Sequence, residues 1–147
     1  MAAEKETSPC LRCKPAKCCM YITLQVQTPK KLVDFEEMLW HIAHQHVEYF
    51  VQKRHWFIMV HNPCRFNDAE GRCQIYHTRP TICRDHSTEN CEFETGCDFD
   101  LHITSYEEML EYASKRFPSL KERINDPSLL WENREQGNGK HSQRRKR

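Results

Sequence analysis

The sequence predicts an α+β fold, in which a small antiparallel sheet is backed by helices and has one cysteine-rich side. Runs rich in aromatic and β-branched residues predict the strands, and a segment with helical periodicity between them predicts the packed helix. The third observation is that eight of the nine cysteines form two groups of four, within residues 10–19 and 64–91. We expect one domain over residues 1–135 and a disordered basic tail over residues 136–147.

Three strands are predicted. Residues 21–27 alternate polar and apolar side chains, which is typical of a half-buried strand. The side chains expected to point inward are those of Ile22, Leu24 and Val26. Residues 47–51 and 56–60 are the other two strands, and the polar residues 52–55 between them predict a hairpin with a four-residue loop.

Two helices are predicted from their caps and their apolar periodicity. Thr28 is the expected N-cap of the first, with a proline in its first position, and the apolar pattern continues to about Ala43. The second follows a capping box made by Ser105 and Glu108, and it should end before Pro118. Together with the strands, these helices form the platform that we expect to carry the cysteine segments.

The cysteine content indicates a reducing compartment. Nine cysteines in 147 residues are fewer than small disulfide scaffolds contain, and an odd number leaves one thiol over after full pairing. The first eight residues are polar and do not predict a secretory signal, and no apolar stretch approaches the roughly 18 residues of a membrane span. We therefore expect a cytoplasmic protein that is not embedded in a membrane, with metal ligands rather than disulfides.

The charge is unevenly distributed. The chain has a formal net charge of +1, yet five of its last eight residues are basic and none is acidic, so residues 1–139 are net negative. A body of that sign argues against nucleic-acid binding as the main activity. The tail could contact RNA weakly or an acidic protein, and a simply solvated end is the alternative.

The first cysteine group has a spacing found in metal sites. Cys10 and Cys13 are separated by two residues, so a tight turn can bring both thiolates to one metal. Cys18 and Cys19 are adjacent, and in an extended chain their side chains would point to opposite faces. The two could therefore serve different sites, or flank one site from a turn.

The second group must be brought together by separate short elements. Its members, Cys64, Cys73, Cys83 and Cys91, are separated by eight, nine and seven residues. A hairpin around Gly71 should bring the first two together. Thiolates of this number fit zinc or an iron–sulfur cluster, and disulfides and buried thiols are the other interpretations. The role of Cys97 is left open.

These residues resemble the YkgJ-type, or CxxCxxCC, cysteine-cluster family, which is described as a zinc- or iron-chelating domain with eight cysteines. The most specific part of the resemblance is the run from Gly71 to Arg84, G-R-C-Q-I-Y-H-T-R-P-T-I-C-R. The family usually has two residues before its Cys-Cys pair, whereas this chain has four, residues 14–17. The metal ligands that the resemblance implies are Cys10, Cys13, Cys18, Cys19, Cys64, Cys73, Cys83 and Cys91.

Iron is favoured over zinc as the metal. The second group lacks the paired Cys-x2-Cys knuckles of a zinc ribbon, and one relative of the family is held to use an iron–sulfur cluster. We expect an iron–sulfur cluster of the 4Fe-4S type, used in electron or group transfer. The alternative is a zinc-binding module that has a structural role or binds a protein partner.

Four other side chains near the second group are candidates for a role at the site. Arg79 and Arg84 flank Cys83 and could bind the cofactor through hydrogen bonds to its sulfurs, or satisfy nearby carbonyls. His77 and His86 are the candidate ligands that are not cysteines. The sequence shows no nucleophile–base pair and no cofactor fingerprint, so whether the protein is an enzyme is left open.

Overall fold

The computed structural model describes residues 12–14, 16–86 and 91–129. The chain divides into two compact units, one ending at Met109 and one beginning at Leu110. The first unit contains the sheet and the described cysteines, and the second contains the helical residues that follow. The domain boundaries predicted above remain a prediction, and the expected tail lies outside the described residues.

The predicted α+β fold is confirmed, with one more strand than expected. Four antiparallel strands form a single sheet in the order β1-β3-β2-β4. They are β1 (Ile22–Val26), β2 (Val47–Gln52), β3 (His55–Val60) and β4 (Leu101–Ile103). The strand that was not predicted, β4, has three residues and is too short to show a periodic pattern.

The helices in the described residues are short, apart from two of 11 residues each. They are α1 (Leu32–Ile42), α2 (Thr81–Arg84), α3 (Glu92–Thr95), α4 (Tyr106–Arg116) and α5 (Ser119–Ile124), with single 3₁₀ turns at Lys17–Cys19, Tyr76–Thr78 and Pro127–Leu129. None of these helices combines the length and the apolar character that crossing a bilayer requires.

The first helix starts later than predicted. The prediction placed its N-cap at Thr28, but α1 begins at Leu32. The reason is Asp34, whose carboxylate accepts the backbone N–H groups of Lys30 and Lys31 at 2.8 and 2.9 Å. These bonds lower the pKa of Asp34 and hold the two residues that precede the helix, with Lys31 as its N-cap. The predicted end is confirmed, because α1 stops at residue 42.

The core lies between α1 and the centre of the sheet. Phe35 and Leu39 of α1 are buried together with Tyr49 of β2, which is 1 % exposed. The hydroxyl of Tyr49 lies 2.7 Å from Nδ1 of His41, so the one polar atom of this side chain has a partner inside the protein. Burial raises the pKa of Tyr49 to about 12.

The burial predicted for the apolar side chains of the first strand is wrong, although they point to the face on which α1 lies. Ile22 and Leu24 are 54 % and 58 % exposed. Leu24 pairs with Ile58, which in turn pairs with Tyr49, so these side chains share the face on which α1 lies. Because α1 packs on β2, two strands away from β1, the apolar side chains of the edge strand are not covered.

The hairpin loop has two residues, where four were predicted. Gln52 pairs with His55, and Lys53 and Arg54 form the turn with φ values of +49° and +67°. A two-residue turn with both φ angles positive has the twist that suits the flanking strands. Lys53 and Arg54 therefore adopt a conformation that favours asparagine and glycine.

Replacing this pair should stabilise the protein. We expect the double variant Lys53→Asn, Arg54→Gly to raise the free energy of unfolding by about 0.5–1 kcal/mol, because relief of the left-handed conformation outweighs the entropy cost of glycine. The variant retains the hydrogen bond that the backbone N–H at position 54 donates to the Asp100 carboxylate, which is 3.2 Å long. Urea unfolding measures the change. Arg54→Ala is the control, since it keeps a Cβ at positive φ and should give no gain; an equal gain from alanine would contradict the explanation.

The capping box predicted for the second helix is confirmed. The hydroxyl of Ser105 accepts the backbone N–H of Glu108 at 3.2 Å, and the carboxylate of Glu108 accepts the N–H of Thr104 at 2.7 Å. The helix ends at Arg116, two residues before Pro118, as expected.

Candidate metal site

The first cysteine group and the stretch that follows Cys91 border the sheet face opposite α1. Because side chains alternate along a strand, the neighbours of Tyr49 on β2, Glu48 and Phe50, point to this second face. Residues 17–21 and 92–99 border an open pocket of about 510 Å³, which also contacts Met59 of β3. This is the cysteine-rich side that the sequence predicted.

A turn of 3₁₀ helix shapes the first cysteine group. Cys13 is buried, and its sulfur accepts the backbone N–H of Lys17 at 3.4 Å. Hydrogen bonds of this kind stabilise thiolate ligands and tune the potential of iron–sulfur centres. The N–H group that reaches the sulfur thus belongs to the first residue of the 3₁₀ turn. Cys18 is exposed and Cys19 half-buried, while Cys10 lies outside the described residues.

The hairpin around Gly71 packs directly against that turn. Asn67 and Cys73 form an antiparallel bridge across it, and Gly71 has a φ of +78°. A Cβ at Gly71 would lie 3.6 Å from the backbone nitrogen of Ala16 and 3.9 Å from the carbonyl oxygen of Cys13. The predicted hairpin is therefore present, and it brings Cys64 and Cys73 of the second group to the first.

Cys19 has thiols of both groups as its neighbours, namely Cys18, Cys64 and Cys73. Its carbonyl oxygen accepts the N–H of Cys64 at 2.7 Å. Burial is the largest cause that raises the pKa of the Cys19 thiol to about 12. The adjacent Cys18, and then Cys64 and Cys73, raise this pKa further. Crowded thiols of this kind resist ionisation until a cation binds among them, since a coordinating metal deprotonates its thiols. Sulfur donors are chemically suited to zinc or iron, although the described side chains are not grouped closely enough to hold a metal ion.

The remaining cysteines are placed differently. Cys91 is buried directly before α3, which packs against the Lys17–Cys19 turn, whereas Cys83 is exposed on α2 and no described contact joins it to the other thiols. No disulfide links the described cysteines. Within residues 12–14, 16–86 and 91–129, no three His, Cys, Asp or Glu side chains are grouped closely enough to hold a metal ion. The eight-cysteine ligand set remains a prediction.

Glu92 is a site residue that sequence reasoning missed. Its carboxylate accepts hydrogen bonds from the hydroxyl of Tyr21 and from the thiol of Cys97. Burial and this carboxylate raise the pKa of Cys97 to about 11, and the same causes raise the pKa of Tyr21. Because Tyr21 and Glu92 are 71 residues apart, no spacing in the sequence indicates the pair.

A second carboxylate joins three strands on the same face. Oε2 of Glu48 lies 2.7 Å from Nε2 of His102, and Oε1 lies 3.1 Å from Nε2 of His61. The contact with His102 is a hydrogen bond, while the contact with His61 is at ion-pair distance only. These interactions tie β2 to β4 and to the end of β3.

The two arginines of the predicted site are engaged locally. Nε of Arg79 donates to the carbonyl oxygen of Tyr76 at 2.8 Å, and the guanidinium lies 3.7 Å from the centre of the Tyr76 ring. Nε of Arg84 donates to the carbonyl oxygen of Arg79 at 2.7 Å. These bonds orient both guanidinium groups, and a role in cofactor binding remains a prediction. His77 and His86 are exposed.

A helix-backed antiparallel sheet with a cysteine-rich side defines a small α+β domain. The chain matches the family CxxCxxCC, described as "Putative zinc- or iron-chelating domain", over residues 9–112. It belongs to that family, and the resemblance seen in the sequence is confirmed. The match continues past Cys91 through β4 into α4, so the family domain includes the sheet as well as the cysteines. No curated protein and no solved structure matches the chain.

Proposed function

We propose that this chain carries an iron–sulfur cluster of the 4Fe-4S type and uses it in electron or group transfer. Family membership supports metal binding in the coarser sense of zinc or iron chelation. The proposed ligands are the cysteines named from the sequence, with Arg79 and Arg84 as hydrogen-bond donors beside the cofactor. Such a cluster would supply one-electron chemistry, and the surrounding residues would set its potential.

One observation supports the proposal most strongly, the hydrogen bond from the N–H of Cys64 to the carbonyl oxygen of Cys19, which joins the two cysteine groups. Cys18 and Cys19 come from the first group, and Cys64 and Cys73 come from the second. Four thiolates are the usual ligand set of a 4Fe-4S cluster. The thiols come from two segments separated by the first strand, the first helix and the hairpin, and not from two short knuckles as in a zinc ribbon.

The N–H group of Lys17 that points at Cys13 is consistent with the same proposal. Hydrogen bonds to the sulfurs are one of the means by which proteins adjust the potential of an iron–sulfur centre. In this structure the bond arises from the turn itself, since Lys17 is the first residue of the 3₁₀ helix and lies four residues after Cys13.

A zinc-binding module that recruits a protein partner is the second candidate. Four thiolates also suit tetrahedral zinc. The observation that favours a partner is the exposure of apolar side chains close to the cysteines: Ile82 is 81 % exposed and Tyr76 is 57 % exposed. Both lie between Cys73 and Cys91, on the segment that a metal would order.

Metal analysis of protein purified without oxygen and without added metal distinguishes the two candidates. We expect iron and acid-labile sulfide in equal amounts, near four of each per chain for a 4Fe-4S cluster, and a brown solution. A colourless protein containing zinc alone would support the second candidate. Protein containing neither metal, after reconstitution with either had also failed, would refute metal binding through these cysteines.

A further inference from the structure

The segment that carries Cys91 is joined to the start of the sheet by the side chain of Glu92. Cys91 is 8 % exposed, and the next residue, Glu92, begins α3. Four residues are too few for a helix to be stable alone, so α3 depends on its contacts with the rest of the protein. The Glu92 carboxylate accepts a hydrogen bond from the hydroxyl of Tyr21, the residue directly before β1.

Tyr21 is equally close to the cysteines of the other group. It follows Cys19 by two residues, directly after the turn that α3 packs against. The Tyr21–Glu92 hydrogen bond therefore joins two short segments, each of which has a predicted metal ligand within two residues of the bond. A cation–π contact supports the same docking, since the guanidinium of Arg12 lies 5.9 Å from the centre of the Phe93 ring.

The thiol of Cys97 completes the arrangement by donating to the same carboxylate. Glu92 thus accepts one hydrogen bond from Tyr21, directly before β1, and another from Cys97, which follows α3. With both donors in place, the orientation of α3 is fixed at its first residue and after its last. A hydrogen bond made by a residue beside a ligand fixes the orientation of that ligand, as outer-shell partners do in metal sites.

We propose that Glu92 and Tyr21 are positioning residues of the metal site, which hold Cys91 in reach of Cys18 and Cys19. This inference rests on the proposed function, because it assigns a role toward the metal that those cysteines bind. We therefore expect substitution of either residue to change the metal affinity and the geometry of the metal site, and not the stability of the sheet.

Anaerobic titration with Co²⁺ tests the proposal, because its visible spectrum reports thiolate coordination and site geometry. We expect Tyr21→Phe and Glu92→Ala each to weaken Co²⁺ binding about 10-fold or more and to shift the absorption bands of the bound ion. The double variant should be no weaker than the weaker single variant, because both changes remove the same hydrogen bond. Glu92→Gln keeps an acceptor for Tyr21 and should recover most of the affinity.

The matched control is Glu48→Gln, which changes a carboxylate on the same sheet face that bonds His102 and no cysteine segment. It should leave Co²⁺ affinity and the spectrum unchanged. If the wild-type protein takes up no Co²⁺, the iron and sulfide content of the anaerobically reconstituted variants replaces the titration, and a wild-type protein that takes up neither refutes the proposed function. If it binds Co²⁺ and Tyr21→Phe binds with wild-type affinity and spectrum, the proposed function survives and the positioning role is refuted. Tyr21→Phe removes a single hydroxyl, so the test remains valid if Glu92→Ala does not fold.

Discussion

Removal of the metal should lower the Tm of this protein by about 10 °C or more. A ligand present at 1,000 times its Kd stabilises the folded state by about 4 kcal/mol. For a chain of about 150 residues, that free energy corresponds to a shift of roughly 8–16 °C. The structure gives a reason to expect so large a dependence, because none of residues 62–86 is buried. Apolar burial therefore does little to hold the second cysteine segment, and metal binding has to supply that free energy.

The measurement compares melting curves of metal-loaded and chelator-treated protein under reducing conditions, after metal analysis has verified the removal. Hydrogen exchange adds a local readout, since residues 64–86 should lose protection before β2 and β3, whose core includes Tyr49. As a control, the same chelator in the presence of excess metal should leave the curve unchanged. Identical melting curves with and without metal would show that the cysteine segments fold without it.

Substitution of single cysteines should separate ligands from neighbours. We expect Cys19→Ser to abolish metal binding, with a loss larger than the 10–100-fold typical of an outer-shell partner, because Cys19 has Cys18, Cys64 and Cys73 around it. Cys83→Ser should have the same effect if the family resemblance identifies it correctly as a ligand. Metal content and Kd of the purified variants measure the outcome.

Cys97→Ser is the matched control for those two variants. The serine hydroxyl can still donate to Glu92, so both the fold and the metal content should be retained. Full metal content in Cys83→Ser together with loss in Cys97→Ser would show that Cys97 is the eighth ligand in place of Cys83. That result would also give the exposed position of Cys83 on α2 a simple explanation.

Local patterns predicted the elements of the fold better than their arrangement. The apolar repeat of α1 and the capping box at Ser105 are set by residues three or four apart, and both were found where expected. Whether the apolar face of β1 is buried depends on where α1 packs, which is a contact between distant parts of the chain. A repeat of polar and apolar residues shows that Ile22 and Leu24 share a face, but not that a helix covers it.

The same distinction holds for the candidate site, where residue types could be recognised from the sequence and contacts between distant residues could not. Cysteine is a residue type that indicates metal binding by itself, so the thiols around Cys19 could be named from the sequence. Glutamate and tyrosine are common on protein surfaces, so neither residue indicates a site by itself. Only the folded chain shows the hydrogen bond between Tyr21 and Glu92. The hairpin around Gly71 is intermediate, because its turn residues predict a reversal but not the packing against the Cys13 turn.

The edge strand has a consequence for how the protein behaves when it is concentrated. In the described sheet, β1 is paired on one side only, contains no charged residue, and exposes Ile22 and Leu24. Natural edge strands usually carry a lysine, a proline or a bulge that discourages pairing with another chain. Since β1 has neither lysine nor proline, it is the segment of the described sheet at which self-association should begin, starting with backbone pairing between the β1 strands of two molecules.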